Sequence, residues 1–320
     1  AILDLKIVDP ASGSGHFLIA AAHRIARRLA QARTGDEEPS IDATRTALRD
    51  TIGHCLYAVD LNPMAVELCK VALWLEALEP GKPLTFLDHR IKNGNSLIGV
   101  GPRTSIDDLL RNGIPDEAYA PLEGDDRVHA RAARDRNRQE RGGERGLFKA
   151  TTFGAAHQLA SALHRIDTKG DADIEDVRAK ERAYGALTGG DTYQRARAVA
   201  DACTAAFLWP KHADAPHPIT TNDLHALRQG QQLTPHRTAL LHKTRDRHAF
   251  FHWRIEFPDV LEREAAGFDV VLGNPPWEQT ELKEREWFAT RDPEVATAGT
   301  GALRKQRIAR LADTNPPLYA

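Results

Sequence analysis

The chain predicts an α/β fold: a parallel sheet flanked by helices and interrupted by a large, mainly helical insertion. Three observations predict it. Short apolar stretches ending on an acid or amide alternate with helix-period stretches through the first hundred residues. Turns rich in small residues follow those stretches. A fourth stretch of the same kind, residues 268–272, appears only about 170 residues after the third, and what lies between has a different, helical pattern.

The elements follow in order. Residues 3–9, LDLKIVD, read as a short buried strand, and PASGSG as the turn after it. From His16, Leu18, Ala21, Ala22, Ile25, Ala26 and Leu29 recur at helical spacing, with Arg24, Arg27 and Arg28 on other faces. A polar break, TGDEEPS, separates this helix from another over about 41–52. CLYAVD, residues 55–60, is a second buried strand. Asn62-Pro63 then starts a mostly apolar helix over 63–78, since proline is favoured in a first helical turn. A third strand near residues 89–93 leads into GNSL. Residues 99–126 read as a loop. Residues 127–149 hold eight Arg or Lys against three acids, a run that suits a solvated helix face or a phosphate contact. Helices are expected over 152–166, 172–188 and 191–208, and an irregular Pro- and His-rich segment over 209–247. The expected domains are thus 1–100, the first part of the α/β core; 101–250, the helical insertion; and 251–320, the continuation of the core.

Composition narrows the function classes. With 320 residues and a net charge of −2, the chain is no globally basic nucleic-acid binder, although clustered basic residues leave such a role open. Cys55, Cys69 and Cys203 are far apart without a CxxC pair, which fits a reducing compartment rather than a disulfide scaffold. No apolar run of about 18 residues is present and no leader pattern precedes the first strand, so a cytoplasmic protein without membrane contact is expected. No metal-ligand cluster stands out. His248 and His252 are spaced i, i+4 without a companion motif and read as a surface or packing pair.

Three polar segments follow strands, at DPASGSGHF (9–17), VDLNP (59–63) and GNPPW (273–277). In an open α/β sheet ligands bind beyond the carboxyl ends of the strands, so these segments should meet at one edge. Gly13 and Gly15 allow a tight turn feeding a helix N-terminus. The loop is no phosphate-binding P-loop, which needs Gly-Lys-Ser/Thr, and it lacks the third glycine of a dinucleotide fingerprint, because residue 18 is Leu. Asp60 stands where a carboxylate commonly holds the hydroxyls of an adenosine ribose; its alternative is to cap the next helix, for which Asn62 is closer. Asn274-Pro275-Pro276-Trp277 suits a substrate whose amino group is conjugated to a ring. The amide oxygen and a carbonyl held on rigid prolines can accept the two N–H groups, while the indole offers a stacking face. With an adenosine-containing cofactor, a sulfonium methyl donor would complete the chemistry.

In this order, DPASGSGHF, AVDLNP, IKNGNSL and FDVVLGNPPW resemble the motifs of amino-group DNA methyltransferases, nearest the adenine-N6, Eco57I-like group of restriction–modification and phage-defence methylases. FHWRIEFPDVL (251–261) is also similar to that group. The resemblance covers residues 4–100 and 248–278. It implies a Rossmann-like core that uses S-adenosylmethionine and acts on double-stranded DNA with base flipping. It also implies that Asp9, Ala11, Gly13, Gly15 and Phe17 line the methionine end of the cofactor. Asp60 would hold the ribose, with Leu61 and Asn95 near the adenine, and Asn274, Pro275, Pro276 and Trp277 would form the methyl-acceptor site. Asn in the first position favours adenine over cytosine-N4. The family's cofactor motif before the first strand, its target-recognition domain and its later strands have no counterpart here, so the chain reads as a fragment with an incomplete sheet. Two alternatives stay open: an N-methyltransferase acting on protein glutamine or an RNA base, and a truncated, inactive remnant or interaction module.

Overall fold

The computed structural model describes residues 1–143, 153–274, 284–315 and 318. The chain divides into two compact units, Ala1–Asn274 and Pro275–Ala320.

The first unit is built on four parallel strands in the order β3-β2-β1-β4. It begins with β1 (Ile7–Asp9), α1 (His16–Thr34), α2 (Ile41–Cys55), β2 (Leu56–Asp60), α3 (Pro63–Glu76) and β3 (Ile91–Asn93). The strand expected over 3–9 is shorter, because Ile2–Asp4 forms a 3-10 turn before it. Successive side chains of a strand point to opposite faces, and the cores follow this alternation. Ile7, Leu56 and Ala58 join Leu18, Ala22, Ile52, Cys69 and Leu73 from the helices. Val8, Tyr57 and Val59 turn the other way and pack on Phe251, Phe257 and Val260.

After β3 the chain leaves the sheet for α4 (Ile106–Asn112), α5 (Arg127–Gly143), α6 (Ala155–Asp167), α7 (Ile174–Gly189), α8 (Asp191–Leu208), α9 (Thr221–Arg228) and α10 (Pro235–His248). These helices share a core around the alanine-rich α8, including Tyr193, Ala196, Val199, Ala206 and Trp209. Two segments differ from the sequence expectation. The stretch 99–126 contains α4, closed by a capping box in which Ser105 and Asp108 satisfy each other's backbone N–H groups. The stretch 209–247 contains α9, with a similar box between Thr220 and Asp223, and α10, with Pro235 in its first turn. Their capping chemistry outweighs the Pro and His content that suggested irregular chain. The arginine run of α5 is largely engaged within the chain: Arg138 and Arg141 pair with Asp116, and Arg136 with Glu140.

The chain returns through α11 (Trp253–Glu256), α12 (Pro258–Leu261) and β4 (Val270–Val271). This last strand was expected to be buried. It is instead the edge of the described sheet, hydrogen-bonded only to β1 on one side, so Val270 and Val271 are 43% and 67% exposed. Three buried ion pairs tie the layers together: Arg90, just before β3, with Asp167 of α6 at 2.8 Å; Lys92 of β3 with Glu256 of α11 at 3.0 Å; and His252, just before α11, with Asp201 of α8 at 2.9 Å. His252 is thus a packing residue, its Nδ1 accepting from the Val100 N–H, whereas His248 stacks on Phe250. The second unit carries α13 (Glu284–Ala289), α14 (Pro293–Ala296) and α15 (Gly301–Thr314), packed around Phe288, Val295 and Leu311. No helix among the described residues is long and apolar enough to cross a membrane.

Candidate active site

The carboxyl ends of β1, β2, β3 and β4 carry the predicted residues to one edge. Asp9 closes β1 and is fully buried. Its Oδ1 accepts from the Ala11 N–H at 3.0 Å, while its Oδ2 is buried without a hydrogen-bond partner. Burial pushes its carboxyl up from the ordinary carboxylate value; the Ala11 N–H opposes that shift and the nearby Asp60 charge adds to it. A buried acid with one idle oxygen is costly in an isolated chain, and it fits a cationic ligand.

The loop after Asp9 is tied to β2. The Ser12 N–H donates to the Val59 carbonyl at 3.1 Å, and the Gly13 N–H to Asp60 Oδ2 at 2.8 Å. Gly15 precedes α1 in the left-handed region with φ +86°, and a Cβ there would lie 2.7 Å from the Cys69 Sγ. Gly15→Ala should therefore cost about 1–2 kcal/mol from backbone strain alone, with more from the collision. A chemical melt of that variant should show a lower midpoint with an unchanged slope.

Asp60 does not cap α3; Asn62 does, accepting from the Met64 N–H at 2.9 Å. Asp60 instead takes the Gly13 N–H on one oxygen and the Asn62 N–H on the other, at 2.8 Å each. Each carboxylate oxygen can accept a second bond, so capacity for ligand hydroxyls is left. Asn93 was not singled out in the sequence, yet its Nδ2 donates to the carbonyls of Asp60 and Leu61 at 2.9 and 3.0 Å. It fixes the backbone that carries both candidates. The signal was its place at the end of β3, the position equivalent to Asp9 and Asp60 on their strands. Asn95 accepts from the Leu97 N–H, and its own N–H donates to the Ala249 carbonyl beyond α10. Ala11 is half-buried; Phe17 and Leu61 are 50% and 59% exposed and offer apolar surface.

β4 leads Asn274, the first residue of the predicted acceptor motif, to the same edge. The Leu272 N–H donates to the Val8 carbonyl, and Gly273 crosses so near Asp9 that a Cβ would lie 2.7 Å from Oδ1. Asn274 follows and is exposed. The structure thus unites Asp9, the glycine loop, Asp60 and Asn274. Pro275, Pro276 and Trp277 lie outside the described residues.

A parallel sheet with a glycine loop, acids at the ends of its first two strands, and a helical insertion defines a Rossmann-like methyltransferase fold. The family model described as Eco57I restriction-modification methylase matches residues 54–304, and the chain belongs to this family. A Methanocaldococcus jannaschii protein, whose name describes a type II restriction enzyme and methyltransferase, is 25% identical over 300 residues, covering 85% of this chain. The chain spans 22% of that relative's length. No solved structure gives a significant match.

Proposed function

We propose that the chain is the catalytic core of a DNA methyltransferase that transfers the methyl group of S-adenosylmethionine to adenine N6. Its target would be double-stranded DNA, in a cytoplasmic restriction–modification or phage-defence system. The observation that supports this reading is the close approach of Gly273, the residue before Asn274, to Asp9, from which the glycine loop starts. When bound, the cofactor supplies an electrophilic methyl on a sulfonium. The idle Oδ2 of Asp9 suits the ammonium of its methionine part, and the Gly13–Gly15 turn leaves room for close backbone approach. Asp60 would receive the ribose hydroxyls, Phe17 would pack beside the methionine end, and Leu61 and Asn95 would border the adenine. Asn274 and the Pro275 carbonyl accept the N–H groups of the target amine and aim its lone pair. A paired base is out of reach within a duplex, so the nucleotide is flipped, and stacking on Trp277 offsets about 1–3 kcal/mol of that cost. Exposed Lys243 and Arg247 on α10, the helix whose end is tied to Asn95, are suited to phosphate contacts.

Calorimetric titration with S-adenosylmethionine, beside Asp60→Ala, tests the cofactor half. Binding weakened at least about tenfold by the substitution, near 1.4 kcal/mol, is the expected result. Transfer of labelled methyl to DNA, followed by digestion and mass analysis, tests the acceptor half. N6-methyladenine is expected. N4-methylcytosine, or label appearing only in protein glutamine or RNA, would reverse the assignment. A cooperatively folded chain that binds no cofactor would remove it.

A further inference from the structure

Helix α3 is apolar on two opposite faces. Val66, Cys69, Leu73 and Ala77 are buried toward the sheet and its neighbouring helices. On the other side, Met64, Leu68, Val71 and Leu75 are 64%, 51%, 45% and 64% exposed, and Leu78, just past the helix end, is 52% exposed. The four on the helix recur at spacings of four, three and four residues, those of a helix–helix packing seam, and Leu78 extends the apolar surface beyond its end. A solvated surface helix carries polar side chains there. Adjacent α1 does so, exposing His23, Arg24, Arg27 and Arg28. The charges bordering the α3 seam are occupied within the chain: Glu67 with Lys70, which also holds Asp88, Glu76 with His23, and Glu79 with Lys82. What α3 offers outward is therefore apolar surface without a charge pattern selecting a particular partner.

We infer that this face is a homodimer interface, with α3 of one copy antiparallel to α3 of a second across a two-fold axis at Val71. An isologous contact requires a patch complementary to itself, and the seam has that symmetry. Met64 and Leu78 lie seven residues either side of Val71, and Leu68 and Leu75 three and four. Antiparallel pairing sets Met64 against Leu78, Leu68 against Leu75, and Val71 against its own copy. The shortest of the five side chains thus stands where the helix axes come closest. From their fractional exposures, the five residues present roughly 500 Å² per copy, so covering all of it in both copies reaches the ~1,000 Å² at which specific interfaces begin. The seam avoids every residue of the candidate active site, so this inference stands apart from the methyl-transfer reading.

Sedimentation velocity of the chain from about 2 to 200 μM tests it, over a range chosen for an interface at the small end of the specific class. The mass should move from one chain to two, and Leu68→Glu with Leu75→Glu should raise the dimer dissociation constant at least about 100-fold, since charge would be buried in the seam. Circular dichroism checks that this variant folds. Val71→Cys gives a second, independent readout. Because position 71 lies on the axis, copper-phenanthroline oxidation should yield a disulfide-linked dimer, whereas Ile41→Cys, exposed on α2, should not. Cys55, Cys69 and Cys203 are buried and supply little background. A single-chain mass across the range, association unaffected by the two glutamates, or equal cross-linking at positions 71 and 41 would each overturn the inference.

Discussion

Asn274→Ala should lower methyl transfer to DNA by about 10²–10³-fold, in the range seen when one preorganised hydrogen-bonding group at a reacting centre is lost. Cofactor affinity should stay within about twofold, a change of under 0.5 kcal/mol. The split follows from the site. The groups proposed to hold the cofactor come from β1, β2 and the segments after β1, β2 and β3, whereas Asn274 follows β4. Asn274→Asp keeps an acceptor oxygen and should retain measurable transfer where alanine does not. Single-turnover transfer of labelled methyl, with affinity measured separately by calorimetry, checks both variants. Wild-type transfer by the alanine variant would sink the acceptor role. A parallel loss of cofactor affinity would show instead that Asn274 shapes the cofactor pocket.

Strand ends and helix periodicity make most of the fold legible in the sequence. Asp9, Asp60 and Asn274 each follow an apolar run, and parallel pairing brings such ends to one edge whatever lies between them in sequence. The capping boxes Ser105/Asp108 and Thr220/Asp223 were equally readable, yet the surrounding Pro, Gly and His residues dominated the reading of those segments. Other features depend on tertiary contact and leave no local mark. That Gly15 accommodates Cys69, that Gly273 accommodates Asp9, and that Asn93 clamps the backbone after Asp60 become visible only once the strands are side by side. The exposure of Val270 and Val271 is of the same kind, since two valines read alike in a central and an edge strand.

Arg90→Leu should destabilise the first unit by about 3–5 kcal/mol, the scale for removing one partner of a buried ion pair. Arg90 is 1% exposed and lies just before β3, at the end of the sheet opposite the candidate site. It donates to the His54 carbonyl and the Tyr57 hydroxyl at 2.7 Å each, and to Asp167 at 2.8 Å; Tyr57 in turn donates to Asp259. Leucine fills part of the volume but leaves those acceptors in a dry interior. Burial by itself would raise the Asp167 carboxyl, but Arg90 and His89 outweigh it and hold the group well below the usual carboxylate range. A depressed folded value gives stability that is present above about pH 4, the unfolded value, and is lost as pH falls through the folded one. In the leucine variant burial acts with less opposition, so Asp167 moves upward and that contribution disappears. The gap between the two proteins should therefore be widest near pH 7 and narrow below about pH 4, which urea melts at a series of pH values will show. A gap independent of pH would assign the loss to packing alone. Because the network lies across the sheet from Asp9 and Asp60, the folded fraction of the variant should keep wild-type cofactor affinity.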